Sequence, residues 1–152
     1  MHKVAVLMGS KSDMQVMQPA ADVLIQKFGI ESEIHVISAH RTPHKVAEFA
    51  SNAAANGFDV IIAGAGMAAH LAGVLAAFTP LPVIGVPIKS ASFEGMDALL
   101  SMVQMPSGVP VATVAVNGAK NAGILAAQII GVGDPEVRKK IEDYKRTLAE
   151  AK

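Results

Sequence analysis

Two short polar clusters hold the residue types that could do chemistry, Gly9-Ser10-Lys11-Ser12-Asp13 and Ser38-Ala39-His40-Arg41-Thr42-Pro43. Each follows an apolar, β-branched run, so each stands at the carboxyl end of a predicted strand, the side of an open α/β sheet where ligands bind. Hydroxyls, a carboxylate, an imidazole and a guanidinium then converge on one crevice. That set suits a phosphorylated sugar derivative and a proton transfer. Ser10 and Ser12 can serve as helix caps, yet Gly9 lets a ligand approach the backbone, and a helix start offers free amides to a phosphate. Asp13 is either a first-turn acid favoured by the helix dipole or an acceptor for a ribose diol. Arg41 beside a helix start opposes that dipole unless an anion lies between them, which points to a phosphate or carboxylate ligand. An imidazole titrates near neutrality, and the company of Ser38 and Arg41 favours a chemical role for His40 over a structural one.

Three familiar schemes fit poorly. His40 and His44 have the spacing of a helical metal pair, but Pro43 places the helix start between them and no nearby acid or cysteine completes a site, so no metal is expected. A serine nucleophile on a Gly-x-Ser-x-Gly elbow is absent. Gly64-Ala65-Gly66-Met67-Ala68-Ala69 matches the dinucleotide fingerprint in form, but it follows the third strand, and Lys89 stands where an acid should end the next one.

The elements that must position these groups alternate regularly. Strands are predicted at 3–8, 33–37, 59–63, 83–86 and 111–116. Helices are predicted at 12–28, stopped by Gly29 and kinked at Pro19, then from Thr42 as cap to 57, at 68–77 with His70 inside, near 94–103 and at 120–130. Gly64-Ala65-Gly66 reads as the turn between the third strand and its helix. Strands alternating with helices at this spacing mean parallel βαβ units. Residues 60–78 are uncharged and long enough to resemble a membrane span, but the glycines divide them into a buried strand and a small-residue helix. Asp134 and Pro135 open a last helix, with Val137, Ile141, Tyr144 and Leu148 on one apolar stripe. It closes over its own sheet or packs on a neighbouring subunit.

Composition narrows the partners. The chain of 152 residues reads as one domain, 1–152, and thirteen basic against thirteen acidic residues leave no electrostatic footprint for nucleic acid or an anionic membrane. With 51% hydrophobic and 17% charged residues there is little charge to cover a monomer, so a homo-oligomer is expected. No signal sequence is evident at the N-terminus, which predicts a cytoplasmic protein.

The two clusters, together with Gly64-Ala65-Gly66, Ala68-Ala69-His70-Leu71, Val103-Gln104-Met105-Pro106 and Gly108-Val109-Pro110-Val111, resemble the class I PurE family, the 5-(carboxyamino)imidazole ribonucleotide mutases of purine biosynthesis. The resemblance covers about residues 3–130 in order. It implies a three-layer α/β/α sandwich with a central parallel sheet, flavodoxin-like or Rossmann-like, followed by the C-terminal helix, and an octamer. It implies no metal, ATP or organic cofactor. By position it assigns Ser10, Asp13 and Arg41 to the ribonucleotide substrate, with Gly9, Ser12, Ser38 and Leu71 nearby. His40 becomes the acid/base, and His70 shapes the pocket with Gly64 and Gly66. Met67, Ala72 and Lys89 depart from the glycine, proline and glutamine common at those positions, and the loop near Asn117 is short. The chemistry so implied requires only that a proton be moved while carbon dioxide is held in a poorly hydrated pocket. A carboxylase using free carbon dioxide and a non-catalytic nucleotide-binding module are the alternatives.

Overall fold

The computed structural model describes residues 1–151. Its sheet is apolar on both faces because both faces are covered. In β1 (Lys3–Met8), Val4, Val6 and Met8 enter one core and Ala5 and Leu7 the other, the two-residue period of a strand applied twice. The further strands are β2 (Glu31–Val36), β3 (Val60–Gly66), β4 (Val83–Ile88) and β5 (Ala112–Thr113). They pair in parallel in the order β2-β1-β3-β4-β5. The helices are α1 (Met14–Phe28), α2 (Pro43–Asn52), α3 (Leu71–Phe78), α4 (Met96–Val103), α5 (Ala119–Gly133) and α6 (Pro135–Glu150). Helices α1, α5 and α6 supply one outer layer, while α2, α3 and α4 supply the other. The expected three-layer sandwich is thus the observed one.

Small residues set the distance between α1 and α5. A Cβ added at Gly123 would lie 2.7 Å from the Ala20 carbonyl oxygen, so the helices meet almost backbone to backbone. Helix α1 runs through Pro19 and ends where expected, at Gly29 with φ 67°. Asp134 caps α6 by accepting from the amides of Glu136 and Val137 at 2.8 and 3.2 Å. Val137 and Ile141 are buried against their own chain, and the Phe28 and Tyr144 rings meet edge to face at 5.6 Å. Leu148, on the same stripe, is 56% exposed. The first half of α6 therefore closes over its own chain, and only the distal half presents an uncovered apolar residue.

Several predicted boundaries are corrected. Gly64-Ala65-Gly66 forms the last three residues of β3 rather than a turn, paired with Val86, Pro87 and Ile88 of β4. Glycine is used here for room: a Cβ on Gly64 would sit 2.3 Å from Met17 Sδ. Because β3 continues, α3 begins at Leu71, which places His70 before the helix instead of inside it. Helix α2 stops at Asn52, well short of residue 57, and β5 spans two residues in place of six, although Val114 and Asn117 still donate to the Gly85 and Pro87 carbonyls. Among the described residues no helix is long and apolar enough to cross a membrane; residues 60–78 divide into β3 and α3.

Candidate active site

The strand order reverses direction between β1 and β3: the chain leaves β1 for β2 on one side, then crosses to β3 on the other. Loops leaving neighbouring strands at such a point part in opposite directions and open a crevice. Here a cleft of about 420 Å³ is lined by the segments that follow β1, β2, β3 and β4.

Each wall is built locally. After β1, residues Lys11–Asp13 form a single 3-10 turn. Ser10 Oγ accepts from the Ser12 amide at 3.3 Å and lies 2.9 Å from Ser12 Oγ. Ser10 thus does cap a turn while Ser12, inside that turn, does not, and both serines line the cleft. A Cβ at Gly9 would meet nothing within 4 Å, so the space above it is open to a ligand. Asp13 lines the cleft half-buried, and loss of water raises its carboxyl above the usual value.

After β2, Ser38 organises the loop. Its Oγ accepts from the Arg41 amide at 3.1 Å, and its carbonyl accepts from the Thr42 amide and hydroxyl at 2.9 and 2.8 Å. Thr42 occupies the cap position before Pro43, but its hydroxyl is spent on Ser38 rather than on the helix amides. This knot leaves the His40 and Arg41 side chains exposed on the lip of the cleft. His44 lies inside α2, on the far side of Pro43 from His40.

The third wall brings a histidine from 30 residues away. His70 Nδ1 lies 2.8 Å from His40 Nε2, with the rings edge to face at 4.9 Å between centroids. A bond of that length needs a proton on one of the two facing nitrogens, so the histidines share a proton position. Gly66 and Leu71 line the cleft, with a Cβ at Gly66 meeting the Ile88 carbonyl oxygen at 3.2 Å. Gly64 does not: it is buried in the sheet against Met17 and Ile88, so its role is packing. Met67 projects into the cleft from a left-handed backbone, φ 55°, and is 63% exposed. Among the described residues no three His, Asp or Glu side chains gather as a metal site.

The expected residues Gly9, Ser10, Ser12, Asp13, Ser38, His40, Arg41, Gly66 and Leu71 therefore share one cleft, and His70 touches it through His40. Ile88, Lys89 and Ser90 also line it. They were missed as site residues, although the rule that located the first two clusters, polar residues just beyond a strand, also selects Lys89 and Ser90 after β4.

Comparison with known proteins shows the family. The family model described as AIR carboxylase matches residues 3–151. The N5-carboxyaminoimidazole ribonucleotide mutase of Thermotoga maritima is 56% identical over 97% of this chain and 86% of its own length. That of Mycobacterium tuberculosis is 53% identical over 97% of this chain and 84% of its own. The crystal structure of Treponema denticola PurE superposes with a TM-score of 0.90 at 34% identity, covering 99% of this chain and 94% of that one. A match that runs through all five strands, the cleft they open and the helix beyond places the chain in the AIR carboxylase family.

Proposed function

We propose that this chain is a cofactor-independent mutase of purine biosynthesis that converts 5-(carboxyamino)imidazole ribonucleotide to 4-carboxy-5-aminoimidazole ribonucleotide. The carbamate N–C bond breaks and releases carbon dioxide, while His40 in its protonated form gives a proton to the departing nitrogen. The electron-rich ring carbon 4 then attacks the retained carbon dioxide, and His40 takes the proton that this carbon loses. One proton leaves and one returns, so the cycle closes without an outside acid or base. The observation that carries the reading is the 2.8 Å contact between His40 and His70 at the lip of a cleft that Asp13 and Arg41 also line. A proton relay thus stands beside groups suited to a ribose diol and a phosphate. His70 holds the His40 ring in place. Ser10 and Ser12 take the phosphate with Arg41, Asp13 takes the diol, and the small residues Ala65, Gly66 and Ala68 form the pocket for carbon dioxide.

The enzyme works in the cytoplasm as a homo-oligomer, eight subunits by resemblance. Phe93, Met96, Leu100 and Val103 are each at least 49% exposed on and beside α4, an apolar surface that a partner subunit would cover. The distal half of α6 adds Leu148 to the same requirement.

The deciding assay supplies the carbamate substrate in buffer containing ¹³C-bicarbonate. Retention predicts an unlabelled product carboxylate and a rate independent of added bicarbonate. A labelled product, formed at a rate that rises with bicarbonate, would make the chain a carboxylase. Ribonucleotide binding without turnover would make it a binding module.

A further inference from the structure

One side of the cleft has polar groups that the reaction above leaves unused. Lys89, the first residue after β4, lines the cleft, as does Ser90. The Lys89 ammonium is held away by a carboxylate, Glu94 Oε2, at 2.7 Å. This turn is built rather than slack. Asn117 Oδ1 accepts from the Lys89 amide at 2.9 Å. Glu94 and Asn117 both keep left-handed backbones, φ 57° and 58°, a conformation that side-chain-bearing residues rarely adopt. Ser90 Oγ is buried with no hydrogen-bond partner among the described residues. Rotation about its side-chain bond would turn that unpartnered hydroxyl toward the cleft that Ser90 lines, where it could donate to an acceptor.

Position relates this wall to the rest of the site. Arg41 and Lys89 are the two lysine or arginine side chains that line the cleft. Arg41 follows β2 and Lys89 follows β4, with β1 and β3 between those strands. The two cations thus reach the cleft from opposite ends, separated by the β3 segment that leads to His70. The proposed substrate likewise carries two anions at opposite ends, a phosphate on the ribose and a carboxylate on the exocyclic nitrogen of the imidazole, which the reaction moves to the adjacent ring carbon.

We propose that Lys89, with Ser90, recognises the substrate carboxylate, and that Glu94 is the counter-ion the substrate displaces. This rests on the reading of the cleft as the ribonucleotide site. Glu94 pairs with the ammonium, and the hydrogen bond between them raises the Lys89 pKa above its usual value. The exchange favours the substrate, because Glu94 is an exposed side chain that loses entropy to hold the pair, whereas a carboxylate on a ligand already fixed by its phosphate does not. Specificity follows: a ribonucleotide lacking the carboxylate leaves Lys89 with Glu94, whereas a carboxylated one recruits it. Lys89 is a specificity-determining residue in this scheme, and the proton steps remain with His40.

Calorimetric titration with two probes separates the possibilities. These are 4-carboxy-5-aminoimidazole ribonucleotide and 5-aminoimidazole ribonucleotide, which share the phosphate and differ in the carboxylate. Lys89→Met should weaken the carboxylated probe by about three- to tenfold, the range of a half-exposed charged contact, and leave the other unchanged. Lys89→Arg should recover most of the loss. Glu94→Gln should tighten the carboxylated probe alone, because no counter-ion must be displaced. Arg41→Ala, acting at the phosphate, should weaken both. Equal weakening of both probes by Lys89→Met, or no change in either, overturns the proposal while leaving the site reading in place. Failure of the wild type to bind either probe removes the site reading itself, and the proposal with it.

Discussion

The most exposed point of the proposed mechanism is the assignment of the proton to His40, and the facing atoms give a way to test it. His40 presents Nε2 and His70 presents Nδ1, 2.8 Å apart. An asparagine amide extends about as far as Nδ1 of a histidine but falls short of Nε2. His70→Asn therefore keeps a group that can hold the His40 ring, whereas His40→Asn loses both the contact and a group able to exchange protons near neutrality. General acid-base catalysis contributes about 10²- to 10⁴-fold, so His40→Asn should lower kcat by at least about a hundredfold, roughly 2.7 kcal/mol of barrier. His70→Asn should cost about tenfold, roughly 1.4 kcal/mol, through misalignment. Because both side chains stand exposed on the lip, product affinity should change by less than about threefold in either variant, under roughly 0.7 kcal/mol. The assay is turnover at saturating substrate, with product affinity measured alongside by calorimetry. His40→Gln adds a control, since its longer amide reaches toward His70 but cannot carry the proton; it should be as slow as His40→Asn. Near-normal turnover in His40→Asn, or a larger loss at His70 with binding intact, would refute the assignment and move the acid/base to His70.

Three further outcomes are expected. Asp13 has a raised pKa because it is half-buried in the cleft wall, so its ionised form opposes folding above that pKa and the penalty vanishes as pH falls below the unfolded value. Ligand-free Asp13→Asn should therefore melt at or above the wild-type temperature at pH 7 and lose that advantage in acid, while ribonucleotide affinity drops; a lower melting temperature at pH 7 would contradict the sign. Met67→Gly should relieve the φ 55° backbone and raise stability by about 0.5–1 kcal/mol, roughly 1–4 °C in Tm, with no change meaning that the site carries no strain. The Asp134 carboxyl is held below its usual value, chiefly by the Val137 amide and then by His2. Its stabilisation is present above the unfolded pKa and disappears as pH falls through the folded one. Asp134→Ala should thus lower Tm at pH 7 and converge on wild type in acid, as followed by circular dichroism.

The alternation of strands and helices was legible in the chain because it is written in local periodicity. Apolar runs of four to six residues, polar clusters just beyond them, Gly29 as a helix stop and Asp134-Pro135 as a helix start each rest on residues close in sequence. From that alternation follow the parallel sheet and the rule that its ligand lies beyond the strand ends, which is why Ser10, Asp13, His40 and Arg41 are legible in the chain as lining one cleft. Boundaries were least legible where a residue's local preference was overridden from a distance. Gly64-Ala65-Gly66 carries the signature of a turn, but the β4 ladder on one side and Met17 on the other convert it to strand. That change in turn takes His70 out of the helix.

Three features were decided only by tertiary packing. The meeting of His40 and His70 joins loops 30 residues apart, and no spacing in the chain encodes a 2.8 Å contact between them. The strand-end rule selects Lys89 and Ser90 as candidates, but that they share a cleft with His40 and Arg41 follows from β4 lying beside β3 in the sheet order, a choice made by the pairing of whole strands. The stripe on α6 is uniform in sequence, yet Val137 and Ile141 are buried while Leu148 stands free. Periodicity sets which face of a helix is apolar; the length of the surface beneath it sets how much of that face is covered.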